Sequence, residues 1–376
     1  MSGISVIQER PFIVFGKPDV GEAEKKAVNE VIDSGWLSTG IKCTEFEDEF
    51  KKFIGCNHAV AVSSCTEGII LALLSCWIGH GDEVITSPLT FAATVNAIIA
   101  VGARPVFVDV TPSGHLNPDL IEQAITKKTK AIIPVHYTGA ACEMFKIKNI
   151  AEKNGLKLIE DAAHSFVGHY VRDSFAWVQG TIGDFGCFSF YPTKNVTCGE
   201  GGMIVMKESH HEVRTRLLSM QGLSAGSHRR YGKDYASSYQ VVIPGRKSNL
   251  SDIHAAIGLA QIKRWPELRE KRNFIWQVYE DAFGSKGPGH SQHLFTIEHE
   301  NRDGLRQHLH EQGIGTGIHF NPLHLEPAYS YLGHKKGAFP IAERIGQRTI
   351  SLPVSSTMVT QDAVEVVDAV KQYKGN

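Results

Sequence analysis

The segment "GCFSFYPTKNVTCGEGG", Gly186 to Gly202, runs from a short apolar stretch through a proline to one lysine, Lys194, and then a glycine-rich turn. A lysine is rarely buried without a partner, because taking its charge out of water is costly. Lys194 therefore either points to solvent from a loop or is held with its amine uncharged and reactive. Three other junctions carry residues able to do chemistry. "SSCTEG" sets Ser64 and Thr66 at a helix start, where free N–H groups and the dipole suit a phosphate, although Ser and Thr are also the usual N-caps. "IEDAAH" ends an apolar strand on Asp161, with His164 just after. That carboxylate suits the protonated nitrogen of a heteroaromatic ring, a metal, or a simple turn cap. "SPLTFAAT" places Phe91 just after a strand, to cover a flat ligand or to pack in the core.

Taken together these residues form a set: a phosphate cradle, a ring-covering aromatic, an acid at a strand end, and a lysine 33 residues beyond the acid. Pyridoxal phosphate (PLP) needs that set. Its aldehyde forms a Schiff base with a lysine, and its ring nitrogen needs a carboxylate to stay protonated. A buried or electropositive site lowers the lysine pKa and leaves a neutral amine to attack and to move protons.

Such residues must be positioned by a frame. From about residue 58, short β-branched runs alternate with helical patterns over some 150 residues ("HAVAVSS", "TEGIILALLSCWI", "DEVITSP", "FAATVNAIIAVG", "RPVFVDV" and onward). That rhythm predicts βαβ units and a mostly parallel sheet, with ligands at the carboxyl ends of its strands. Near residue 250 it gives way to a long helical pattern, interrupted at Pro266, and then to mixed elements. A large domain over 1–250 and a smaller one over 251–376 are expected, the amino-terminal segment packing beside the latter.

The chain has 376 residues, 42% hydrophobic and 21% charged, with a net charge of −1, so neither nucleic acid nor membrane is an expected partner. The opening text lacks a signal peptide's features, and seven cysteines without a CxxC pair fit free thiols in a reducing cytoplasm. Despite 18 histidines there is no HExxH and no paired carboxylate–histidine set, so no metal site is expected. His308 and His310 lie two apart on a helical pattern and face different sides.

The phrases "SGWLSTG", "AVSSCTEGIILAL", "SPLTFAATVNAIIAVGARPVFVDV", "VHYTGA", "IEDAAHS", "GDFGCFSFYPTKNVTCGEGGM" and "SDIHAAIGLAQ" resemble the DegT/StrS family of sugar aminotransferases, in the family's order, over roughly residues 12 to 360. The resemblance implies an α/β, fold-type I, aspartate-aminotransferase-like architecture with a smaller C-terminal α+β domain. It implies PLP, a homodimer with shared active sites, and transfer of an amino group from glutamate or a similar donor to a nucleotide-linked keto-sugar.

Residue by residue, it implies Lys194 as the Schiff-base lysine, Asp161 on the ring nitrogen, Phe91 on the ring face and His164 beside the ring. Ser64, Thr66, Glu67 (through its backbone) and Ser189 are implied at the phosphate, with Asn249 reaching it from the neighbouring subunit. Ser38 and Thr39 of "GWLSTG" border the sugar pocket, and His319 and His324 of "IHFNPLHLEP" are either substrate contacts or parts of a structural loop. Arg229 and Arg230 serve a nucleotide diphosphate or form a solvated basic turn. "GRKSNL", with Lys247 and Asn249, resembles members that act at C4 and make 4-amino-4-deoxyarabinose, although Arg246 and Ser248 replace tyrosines of the commoner wording. Related 3-dehydratases carry histidine in place of the lysine, and Lys194 argues against that chemistry. A non-catalytic, regulatory homologue is the remaining alternative.

Overall fold

The computed structural model describes residues 11–172, 174–224 and 238–374. Its centre is a seven-stranded sheet in the order β1-β9-β8-β5-β4-β2-β3. The strands are β1 (His58–Val62), β2 (Glu83–Thr86), β3 (Arg104–Phe107), β4 (Thr129–Ile133), β5 (Lys157–Asp161), β8 (Phe185–Ser189) and β9 (Gly202–Met206). A two-stranded ribbon, β6 (His169–Arg172) with β7 (Phe175–Val178), precedes β8. Within the large sheet β9 alone runs antiparallel to its neighbours, so the expectation of a mostly parallel sheet matches the structure.

Both faces of the sheet are covered, which is why its strands read as near-continuous apolar runs. Successive residues alternate between two cores, as strand geometry requires. Val60 and Val62 of β1, with Ile204 of β9, pack against helix α3 (Cys65–Ser75) and helix α4 (Ala92–Ala100). Ala59 and Ala61, with Met203 and Val205, face the other way. There they meet α2 (Ile41–Ile54), through Phe46 and Phe50, and the first half of the long helix Asp252–Phe283.

That helix is continuous across Pro266, contrary to the interruption expected from its sequence. Pro266 lies on the exposed face, and its missing N–H leaves the Ile262 carbonyl without its usual helical donor. Buried Ile262, Trp265 and Leu268 hold the helix on either side. Its second half belongs to a separate core, in which Ile275, Trp276 and Tyr279 meet Phe295 of β10 (Phe295–Glu298), Ile350 of β11 (Thr349–Leu352) and Val366. Ile13, from the amino-terminal segment, joins this second core and bonds Gly313 and Gly315 through its backbone. No helix among the described residues is long and apolar enough to cross a membrane.

Candidate active site

β1, β8 and β5 are parallel and end at one edge of the sheet, so their last residues are neighbours. Asp161 closes β5 opposite Cys187, and Ser189 closes β8 opposite Gly202, which itself faces Val62 of β1. The start of α3 lies directly over this row. A Cβ on Gly202 would stand 2.6 Å from the Ser64 carbonyl carbon and 2.7 Å from the Cys65 nitrogen, so only glycine allows that approach. After β8 the chain turns tightly, with the Lys194 N–H on the Tyr191 carbonyl (2.9 Å), and this turn brings Lys194 back over the strand ends.

Asp161 is buried. Its Oδ2 accepts from Thr94 Oγ1 at 2.7 Å and its Oδ1 from the Ala163 N–H at 3.2 Å. Burial raises its pKa, and these hydrogen bonds and the charge of Lys194 offset the rise in part. Lys194 is half-buried along its length, yet its ammonium is enclosed well enough that burial pulls its pKa down to about 8. Its Nζ lies 3.5 Å from His293 Nε2.

A row of rings leads away from that amine. His293 lies against His164 (centroids 4.6 Å apart), and His164 stacks on Phe320 at 5.8 Å. Phe320 in turn meets Phe91 at 6.1 Å. Phe91 is 63% exposed, so it walls the cleft and is not a core residue. Burial and the neighbouring Lys194 hold His164 well below the ordinary histidine pKa, and push His319 down to about 4. His319 is placed by Ser351 Oγ on its Nδ1 (2.8 Å) and by Tyr137, whose hydroxyl donates to its carbonyl.

Lys194, Asp161, His164, Phe91 and His319 thus surround one cleft, with Ser64, Thr66 and Ser189 at the adjoining strand ends. Two of the expected site groups are engaged with other parts of the chain. The backbone N–H of Glu67 is taken by Ser64 Oγ at 3.1 Å, an ordinary N-cap. The Glu67 carboxylate takes both Arg246 Nε (2.8 Å) and Nη2 (2.7 Å), as well as Ser248 Oγ (2.6 Å). The two residues that replace tyrosines therefore clip the 246–248 segment to the first turn of α3. With the Glu67 N–H on the cap hydroxyl, the N–H groups of Cys65 and Thr66 are the helical ones there that neither a helix carbonyl nor the cap reaches.

His324 lies away from the cleft. It is buried against Phe339 with Nε2 on Glu343 Oε1 at 3.0 Å, which leaves it no face for a substrate. Ser38 and Thr39 form a second group with Asn249. Asn249 donates to Thr39, which donates to the Leu250 carbonyl, while Lys247 donates to Asn249. Asp252 fixes this corner by accepting from the N–H groups of Gly40 (2.7 Å) and Cys43 (3.0 Å) at the start of α2. Arg229 and Arg230 lie outside the described residues.

The residues missed from the sequence are Thr94, Phe320, Asn195, His293 and Asp252. Asn195 adjoins Lys194 in the sequence, and Thr94 sits one helical turn past Phe91, so both were within reach. Nothing local marks His293.

Residues 18–371 match the DegT/DnrJ/EryC1/StrS aminotransferase family. The chain belongs to this family. It is 39% identical to the spore coat polysaccharide biosynthesis protein SpsC of Bacillus subtilis, over 97% of this chain and 98% of SpsC. Among solved structures it is similar to Streptococcus pneumoniae Spr1654 in its PLP form, with a TM-score of 0.88 and 30% identity over 96% of this chain and 98% of that one. It is similar also to PseC of Helicobacter pylori, an aminotransferase of pseudoaminic acid biosynthesis, with a TM-score of 0.86 and 25% identity over 96% and 99% of the two chains.

The protein is therefore a PLP-dependent aminotransferase of the sugar aminotransferase family, with the fold-type I architecture. Its own residues fit that cofactor. A buried carboxylate with a raised pKa suits a cationic ring nitrogen, and the depressed amine of Lys194 suits an aldehyde. His164 Nδ1 is buried without a hydrogen-bond partner among the described residues.

Proposed function

We propose that this aminotransferase carries an amino group from glutamate, or a similar donor, to a keto-sugar attached to a nucleotide, as a homodimer. What supports the chemistry is one observation: a lysine amine depressed to about 8 beside a buried carboxylate at adjoining strand ends. Bound PLP supplies an electron-withdrawing ring that stabilises negative charge on the carbon losing or gaining a proton. Asp161, oriented by Thr94, keeps the ring nitrogen protonated. Lys194 would hold the cofactor through its aldehyde carbon, and its freed amine would move a proton from the donor's α-carbon to that carbon and, in the second half-reaction, from that carbon to the sugar carbon.

Phe91 covers one ring face, and His164 lies beside the ring. The free N–H groups at the first turn of α3 and the hydroxyls of Ser64, Thr66 and Ser189 take the phosphate, joined by Asn249 from the neighbouring subunit. Ser38, Thr39 and His319 border the sugar, and Arg229 and Arg230 serve the nucleotide diphosphate. Residues 1–250 form the cofactor domain and 251–376 the smaller one. The polysaccharide and pseudoaminic acid named for two relatives support a product destined for a glycan.

An absorption spectrum of the purified protein tests this. A yellow band that is absent in Lys194→Ala, is bleached by glutamate and is restored by a nucleotide keto-sugar supports the whole cycle. Turnover in the variant is expected to fall by about 10²–10⁴ or more. Cofactor that borohydride still fixes covalently to the chain in Lys194→Ala would overturn the assignment of the lysine, and a band unmoved by any amino donor would overturn the reaction class.

A further inference from the structure

His293 reaches Lys194 from the other core, and its proton can be placed by following the hydrogen bonds outward. Asn195 lies 2.7 Å from the Ser291 carbonyl, which only accepts, so the group facing it is the Asn195 amide NH₂. The Asn195 carbonyl oxygen is then the atom 3.3 Å from His293 Nδ1, and that nitrogen must carry the proton. Nε2 keeps its lone pair, aimed at the Lys194 amine 3.5 Å away, the outer limit of a hydrogen bond.

The surroundings keep the ring neutral. His293 is buried, and the charges facing it are Lys194 and Arg272, with the His164 and His319 rings beside it. Arg272, from the long helix, bonds the carbonyls of Gln292 (2.7 Å) and His293 (3.1 Å) and so fixes the backbone that carries the ring. On its other side Lys194 faces Asp161 of β5 and Cys65 of α3.

We propose that His293 is a positioning residue for Lys194, its neutral Nδ1–H tautomer set by Asn195 and its Nε2 accepting from the amine. The inference rests on Lys194 being the lysine that bonds the cofactor. Its consequence is that Asn195 and His293 decide where the amine waits, and how much of it is charged, before an aldehyde arrives. An acceptor on the amine favours the ammonium, so His293 opposes the burial that depresses Lys194.

Two measurements on the full chain test this. In ¹⁵N-histidine NMR at pH 7, the signal lost in His293→Gln is expected to have shown a protonated Nδ1 and an unprotonated Nε2. An Nε2–H tautomer or an imidazolium there would overturn the proposal. In competitive acetylation of Lys194 across pH, before cofactor is added, His293→Leu is expected to lower the amine pKa by about half a unit to one unit. His293→Gln, which keeps an acceptor oxygen, is expected to hold it near wild type. If both variants titrate with wild type, His293 merely fills space. Cofactor that borohydride still fixes covalently to the chain in Lys194→Ala would instead fail the underlying assignment of the lysine, whatever the tautomer.

Discussion

At the scale of single residues, the site is costly to the fold before it is useful to the chemistry. Lys194 is held without a carboxylate in contact among the described residues, and burial lowers its pKa to about 8 from an ordinary lysine value. The sign of the linkage follows. Below pH 8 the folded chain carries a charged amine against its desolvation. Between about 8 and 10.4 the folded amine is neutral while the unfolded one remains protonated, so stability rises with pH through that window. Lys194→Met is therefore expected to melt higher than wild type in the cofactor-free state at pH 7, by about 2 °C. That difference shrinks as the pH is raised toward 10. Paired melting curves at pH 7 and pH 10 check it, and a gain that does not depend on pH would mean the enclosed charge is not its cause.

At the scale of elements, what the sequence made legible was whatever lies within a few residues of its own signal. β1, β5 and β8, and the helices that follow β1 and β2, stand close to where their apolar runs and capping residues put them. Lys194 and Asp161 were recognisable because Asp161 ends β5 and Lys194 stands in the turn directly after β8, each in its own local text. His293 was not, because it meets Lys194 across 99 residues of chain, and only the docking of the second core brings them together. The side-chain role of Glu67 was hidden for a similar reason. Its carboxylate is claimed by Arg246, 179 residues away, while its N–H is spent on an ordinary cap. Pro266 misled in the opposite direction, since a local breaker was overridden by burial of the helix on both sides of it. If the carbonyl of Ile262 is satisfied by water alone, Pro266→Ala should restore one helical hydrogen bond and stabilise the fold by about 1–3 kcal/mol. Denaturant midpoints at unchanged slope would show it, and a loss of stability would mean that the proline's rigidity in the unfolded chain outweighs the missing bond.

At the scale of the whole molecule, the open question is which chain completes each phosphate site. Asn249 runs beside its own β1, paired with Val62, and its side chain is engaged with Thr39 and Lys247 of the same chain. An asparagine so held serves its own subunit only as scaffold, whereas the proposed homodimer would turn this corner toward the neighbouring cleft. Mixed subunits separate the two cases. Asn249→Ala alone is expected to weaken cofactor binding, and Lys194→Ala alone to be inactive. When the two variants are unfolded, mixed equally and refolded, half of the dimers are hybrids. If Asn249 acts across the interface, one site in each hybrid combines an intact Lys194 with the other subunit's intact Asn249, restoring about a quarter of wild-type activity under cofactor-limiting conditions. If Asn249 acts within its own chain, every hybrid site lacks either the lysine or the asparagine, and mixing restores nothing. Activity of the mixture against cofactor concentration, with each variant refolded alone as its control, decides between a shared site and two independent ones.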